Sequence, residues 1–101
     1  MKLIDKKIEI IDYINDHRPE SLKLNEVWGN KIWLKTEKKV NNKDLFIIVQ
    51  KDKARFNYYT YVHNWFHEDI KHYFTKEESF FFYELIEFLE HLFIGGTNVS
   101  I

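Results

Sequence analysis

The chain has 101 residues, 45% hydrophobic and 31% charged, a globular composition long enough for one domain with one core. It contains no cysteine. That excludes disulfides, thiolate zinc sites and cysteine nucleophiles, and makes a reducing cytoplasm the expected setting. The net charge of −1 hides a split along the chain. Residues 31–55 carry eight Lys/Arg against three acids, whereas residues 56–101 carry two Lys against seven acids. The middle therefore reads as a basic module and the C-terminal half as an acidic one. The opening MKLIDKKIEI has charges every few residues, unlike a signal peptide. No apolar run approaches the roughly 18 residues of a membrane span.

Residues 3–16 read as an amphipathic helix. Ile4, Ile8, Ile11 and Ile14 form its expected inner stripe, widened by Leu3 and Ile10. Pro19 disfavours helical geometry in Arg18, so the helix should stop near His17, and residues 19–26 read as a connector. Residues 27–37 alternate as a first strand. Asn41-Asn42 suits a turn. The run LFIIVQK, residues 45–51, reads as a central strand covered at least in part on both faces. Asp52-Lys53 is a plausible tight turn, and residues 54–63 (ARFNYYTYVH) are rich in strand-forming side chains.

Asn64 can cap a short helix over residues 64–74, with Phe66, Ile70, Tyr73 and Phe74 inside. Thr75-x-x-Glu78 is a capping box. After it, Phe81, Phe82, Leu85, Ile86, Phe88, Leu89, Leu92 and Phe93 form a broad apolar stripe ending at Gly95-Gly96. The expected fold is α+β, in the order α-β-β-β-α-α. It is a three-stranded antiparallel meander with helices on one face, forming a single domain over residues 1–96 with a tail at 97–101.

No motif specific to a reaction or cofactor is present. The serines Ser21, Ser79 and Ser100 sit in no nucleophile elbow, and no Walker or Rossmann glycine pattern occurs. A non-enzymatic protein without cofactors is therefore expected. His63, His67, His72 and His91 lie in the acidic half near Glu68 and Asp69. The spacing of His63 and His67 admits a cation site, but without an HExxH pattern the plainer reading is surface histidines and no metal.

Two surfaces remain as candidates. On the last helix the apolar stripe covers about 160° of arc. The opposite arc holds Phe80, Tyr83, Glu84 and Glu87. An aromatic set among carboxylates suits a protein partner with a basic, pocketed surface, such as a nucleic-acid-handling protein. The alternative is single-stranded nucleic acid on a basic sheet face, stacking on Trp33, Tyr59 and Tyr61 beside Lys35 and Arg55. Self-association through the opposed charges of the two halves is a third expectation. The Lys/Ile/Asn/Phe-rich composition points to an AT-rich bacterial or phage genome. Compact chains of this kind include phage and mobile-element anti-defence inhibitors (anti-CRISPR-like proteins among them), antitoxins and immunity proteins. The leading expectation is thus a protein-binding module of inhibitor type.

Overall fold

The structure, a computed structural model, describes residues 3–52, 55–60 and 73–95. The expected helix at 64–74, apart from Tyr73 and Phe74, and the tail at 97–101 lie outside the described residues. Leu3–Lys6 make one 3-10 turn that runs into α1, Lys7–His17. Arg18 is extended, with ψ of 144°, as a residue before proline prefers. Its guanidinium donates to the Leu22 carbonyl at 2.8 Å, and this bond turns the chain toward the sheet.

Four strands follow where three were expected: β1 (Leu22–Trp28), β2 (Lys31–Val40), β3 (Lys43–Asp52) and β4 (Arg55–Tyr59). They form one antiparallel sheet in the order β1-β2-β3-β4. The expected connector and first strand are in fact β1 and β2. The reason is Gly29, whose φ of +61° lets the chain reverse between Trp28 and Lys31. Leu22 and Val27 thereby join the same buried face as Ile32 and Leu34. At the next reversal Asn41 and Asn42 both have positive φ, 54° and 66°. A two-residue hairpin whose twist matches its strands needs that pair of conformations, and Asn tolerates them better than most residues.

The last helix, α2 (Lys76–Glu90), is followed by a single wider turn, His91–Gly95. Leu3, Ile10 and Ile14 from the N-terminal segment and Phe81, Phe82, Leu85 and Leu89 from α2 meet the same face of the sheet. The order is therefore α-β-β-β-β-α among the described residues. In β3, Ile47, Ile48 and Val49 are all buried, as expected of a central strand covered on both faces. The stripe on α1 is rotated from the expected one. Ile10 and Ile14 point inward, while Ile4 is exposed and Ile8 is 73% exposed. At 100° per residue Leu3, Ile10 and Ile14 fall within about 40° of one another and centre the inner face, whereas Ile4 and Ile8 fall roughly 100° and 140° from Leu3.

The capping box forms as expected. Thr75 Oγ1 accepts from the Glu78 amide at 3.1 Å, and Glu78 Oε1 accepts from the Thr75 amide at 2.8 Å. Glu78 is also 1% exposed and has further partners. Ser21 donates to its Oε2 at 2.7 Å, and Lys38 Nζ lies 3.8 Å from Oε1. Lys38 in turn donates to the Tyr73 carbonyl and lies 5.9 Å from the centre of the Phe74 ring. A buried carboxylate is tolerated only with such partners. Glu78→Ala should therefore lower stability by about 2–4 kcal/mol, through the lost cap and the orphaned Ser21. Glu78→Gln, whose amide oxygen can still accept, should lose less. Urea midpoints measure both, and an alanine loss under about 0.5 kcal/mol, the level of an ordinary surface change, would contradict this role.

Tyr58 packs on Phe82, with centroids 5.2 Å apart, and meets Tyr83 edge-on at 6.2 Å. Burial, and then the hydrogen bond to Tyr83, push the Tyr58 phenol up to about 12. An unfolded tyrosine ionises near pH 10. Between these values the folded chain keeps a proton that the unfolded chain loses, so stability falls as pH rises through that window. Tyr58→Phe should flatten this fall relative to wild type in denaturation series from pH 9 to 12. Equal slopes would rule the Tyr58 contribution out.

Candidate protein-binding groove

The charge split along the chain becomes a split between layers. The helices carry the acids Glu9, Asp12, Asp16, Glu77, Glu78, Glu84, Glu87 and Glu90 against Lys7 and Lys76. The strands carry Lys23, Lys31, Lys35, Lys38, Lys39, Lys43, Lys51 and Arg55 against Glu26, Glu37, Asp44 and Asp52. The helices are thus net acidic and the strands net basic, and the helix layer presents a negative field to anything that approaches it.

On α2, Phe80 is 67% exposed and Tyr83 57% exposed, with Glu87 beside them in solvent and Glu84 half-buried. The four residues share the outward face but diverge around the axis. Phe80 and Glu84 turn toward α1, where they line an open trough of about 430 Å³ with His17, Pro19, Lys76, Glu77 and Phe81. Tyr83 leans the other way, onto Tyr58. Glu87 lies farther along, on a second notch of about 320 Å³ with Tyr13, Glu84, Phe88 and His91. Phe80, Glu84 and Glu87 therefore belong to one continuous groove between the helices, with Glu84 on both halves.

The α1 wall of the groove is a stack of rings. Tyr13 lies between His17 and Phe88, with centroids 4.1 Å and 4.0 Å away and planes within 19° and 10° of parallel. His17 Nδ1 is 2.9 Å from the Tyr13 carbonyl, so it carries the proton there, because a carbonyl only accepts. The Tyr13 hydroxyl donates to the Glu84 carbonyl at 3.4 Å. Burial, then the carboxylates of Glu84 and Glu87, raise the Tyr13 phenol above its usual range. Sequence reasoning missed Tyr13, His17 and Pro19 as groove residues. Their only signal was the i, i+4 spacing of Tyr13 and His17 just before the proline.

The alternative surface is differently built. Cross-strand registry puts Trp33, Ile48 and Tyr59 in one row on the sheet face away from the helices, with Lys35 opposite Phe46 in the next. Trp33 and Tyr59 are half-buried there, Trp33 meets Phe46 edge-on at 6.1 Å, and Ile48 is 0% exposed. Tyr59 donates to Gln50 at 3.0 Å, and Lys35 pairs with Asp44 at 3.7 Å. Arg55 is exposed, while Tyr61 lies outside the described residues. Among the described residues the exposed ring of this face is Trp28, at 63%, directly across from Lys31, and sequence reasoning did not single it out. Of the histidines considered for a cation, His91 is exposed on the groove, and His63, His67 and His72 lie outside the described residues. Among the described residues no three His, Asp or Glu side chains are gathered as metal ligands would be. No described helix is long and apolar enough to cross a membrane.

No protein-family model matches the chain, and neither a curated protein nor a solved structure is detectably similar to it.

Proposed function

We propose that the chain is a non-enzymatic protein-binding module of inhibitor type, which engages a basic protein surface through the groove between α1 and α2. The observation that supports this most is Phe80. A large aromatic ring held two-thirds in solvent beside a trough, with Glu77 and Glu84 around it, has the character of an interface anchor. The surrounding carboxylates would steer a cationic partner and repel phosphate backbones. Nucleic-acid-handling proteins present such basic surfaces, and they are the partner class this face suits.

The basic sheet supports a second reading, single-stranded nucleic acid, through the exposed Trp28 beside Lys31. It is the weaker one, because Trp33 packs edge-on with Phe46, Tyr59 is tied to Gln50 and Lys35 is paired.

Affinity capture from a lysate of the encoding organism, with and without nuclease, separates the two. The protein-binding reading expects a protein that survives nuclease and salt near 0.15 M. Phe80→Ala should reduce its recovery at least tenfold, a hot-spot effect of about 1.4 kcal/mol or more. Reversing Glu84 and Glu87 to Lys should also weaken binding and flatten its salt dependence. Recovery that Phe80→Ala leaves unchanged would remove this face from the function. Nucleic acid lost in a Trp28→Ala, Lys31→Ala variant would establish the sheet reading instead.

A further inference from the structure

The five large apolar side chains left exposed among the described residues stand in different charge settings. Phe80 and Tyr83 belong to α2, where the trough is lined by Glu77 and Glu84 against Lys76. Ile4 and Ile8 lie on the flank of the N-terminal segment, with Asp5 one turn before Ile8 and Asp12 one turn after it. Trp28 is the exception. It ends β1 at the hairpin tip with Lys31 directly across, and Lys23 faces Lys35 farther along the same sheet face, which also carries Glu26. We propose that the Trp28 tip of one copy of this chain seats in the Phe80 trough of another, a head-to-tail self-association.

Three observations support a second copy as the occupant. The first is shape. Trp28 is 63% exposed and precedes the tight reversal at Gly29 and Asn30, so it stands at a convex end of the sheet. The trough between α1 and α2 is concave, about 430 Å³ in volume, and its apolar lining is Pro19, Phe80 and Phe81. Phe80 is 67% exposed, so its ring is open to an indole from another molecule. The second is charge. The ion pairs of the described residues are Lys6–Glu9, Lys35–Asp44 and Lys38–Glu78, and none of them uses Glu77, Glu84 or Lys31. A tip with an uncommitted lysine and a trough with two uncommitted carboxylates attract each other and orient the approach.

The third is distance. The Ile4 amide donates to the Gly29 carbonyl at 3.2 Å, which places the Trp28 tip at the start of the N-terminal helix. His17 and Pro19 place the trough at the end of that helix. The 11 residues of α1 span about 16 Å between them. The tip therefore cannot reach the trough of its own chain, and each copy carries the two parts at opposite ends. Such a contact runs from one copy to the next, through side chains rather than through paired strand edges. One ring in one trough buries far less than the roughly 1,200 Å² of a stable complex, so the association is weak and concentration-dependent. It holds whether or not the trough also takes another protein, and a partner that uses Phe80 competes with it.

Sedimentation of the full chain at low salt, from micromolar to millimolar concentration, tests the proposal. The weight-average mass should rise with concentration, and salt of about 1 M, where the Debye length is about 3 Å, should weaken the rise. Trp28→Ala and Phe80→Ala should each weaken association at least about tenfold, as loss of a central aromatic anchor does. Both side chains are exposed, so truncation spares the core, and thermal melting checks that it does. The decisive sample is an equal mixture of the two variants. Trp28→Ala keeps an intact trough and Phe80→Ala keeps an intact tip, so together they should form a one-to-one pair that neither forms alone. A wild type that stays monomeric throughout, association that either substitution leaves unchanged, or a mixture no heavier than its parts would overturn the assignment. A monomer whose captured protein partner is still lost in Phe80→Ala would keep the protein-binding reading and remove the self-association.

Discussion

The Glu78 carboxylate is the point on which the helix layer is registered to the sheet. It closes the capping box that starts α2, accepts from Ser21 just before β1, and lies beside Lys38 on β2. Three stretches of chain that are distant in sequence are thus held by two oxygen atoms. A carboxylate taken almost wholly out of water is costly, and each of these partners offsets part of that cost. Removing any one partner leaves the others to hold a charge they no longer fully satisfy. This gives the start of α2 one position rather than a range of them.

The groove inherits that precision. Phe80 and Glu84 lie within two turns of Glu78, so their placement against α1 follows from where the cap is fixed. The other wall is set independently. Pro19 and Arg18 stop α1, the Arg18 guanidinium binds the Leu22 carbonyl, and His17 and Tyr13 stack in line with Phe88. Two rigid edges, one anchored through a carboxylate and one through a proline turn and a ring stack, leave an open groove between them. Acids outnumber lysines along it, with Glu77, Glu84 and Glu87 against Lys76, because most of the described cations ride on the strands.

Elements with strong local chemistry were legible in the sequence. The Thr75/Glu78 capping box, the stop before Pro19, the Asn41-Asn42 reversal and the doubly covered run in β3 each follow from a few adjacent residues. Two features depended on context that no short window contains. Gly29 falls inside residues 27–37, which read as one strand, because a single glycine between alternating segments marks a bulge as readily as a turn, and residues 19–26 read as a connector. The setting of α1 was the second: its isoleucines spread over a wide arc, and packing chose the face centred on Leu3, Ile10 and Ile14, which leaves Ile4 and Ile8 in water. At the site, helical periodicity placed Phe80, Tyr83, Glu84 and Glu87 on the outer face. It could not show that Tyr83 turns to Tyr58 or that Tyr13 from the other helix completes the groove, since both are matters of tertiary packing. On the sheet, alternation put Trp33 and Tyr59 on the open face but not their burial against Phe46 and Gln50.

One irregularity of the sheet has a consequence for how copies of this chain behave at high concentration. The pairing of β1 with β2 shifts between Leu24 and Glu26, leaving Asn25 as an extra residue in the strand at one edge. An edge strand normally offers a straight row of amide donors and acceptors onto which another chain can zip. A bulge bends that row and breaks its spacing, so that a regular incoming strand can match it only over two or three residues on either side. Charged Lys23 and Glu26 flank the break. The sheet thereby discourages its own extension at this margin, and the strand that was hardest to read in the sequence is also the one built to resist fibrillar templating.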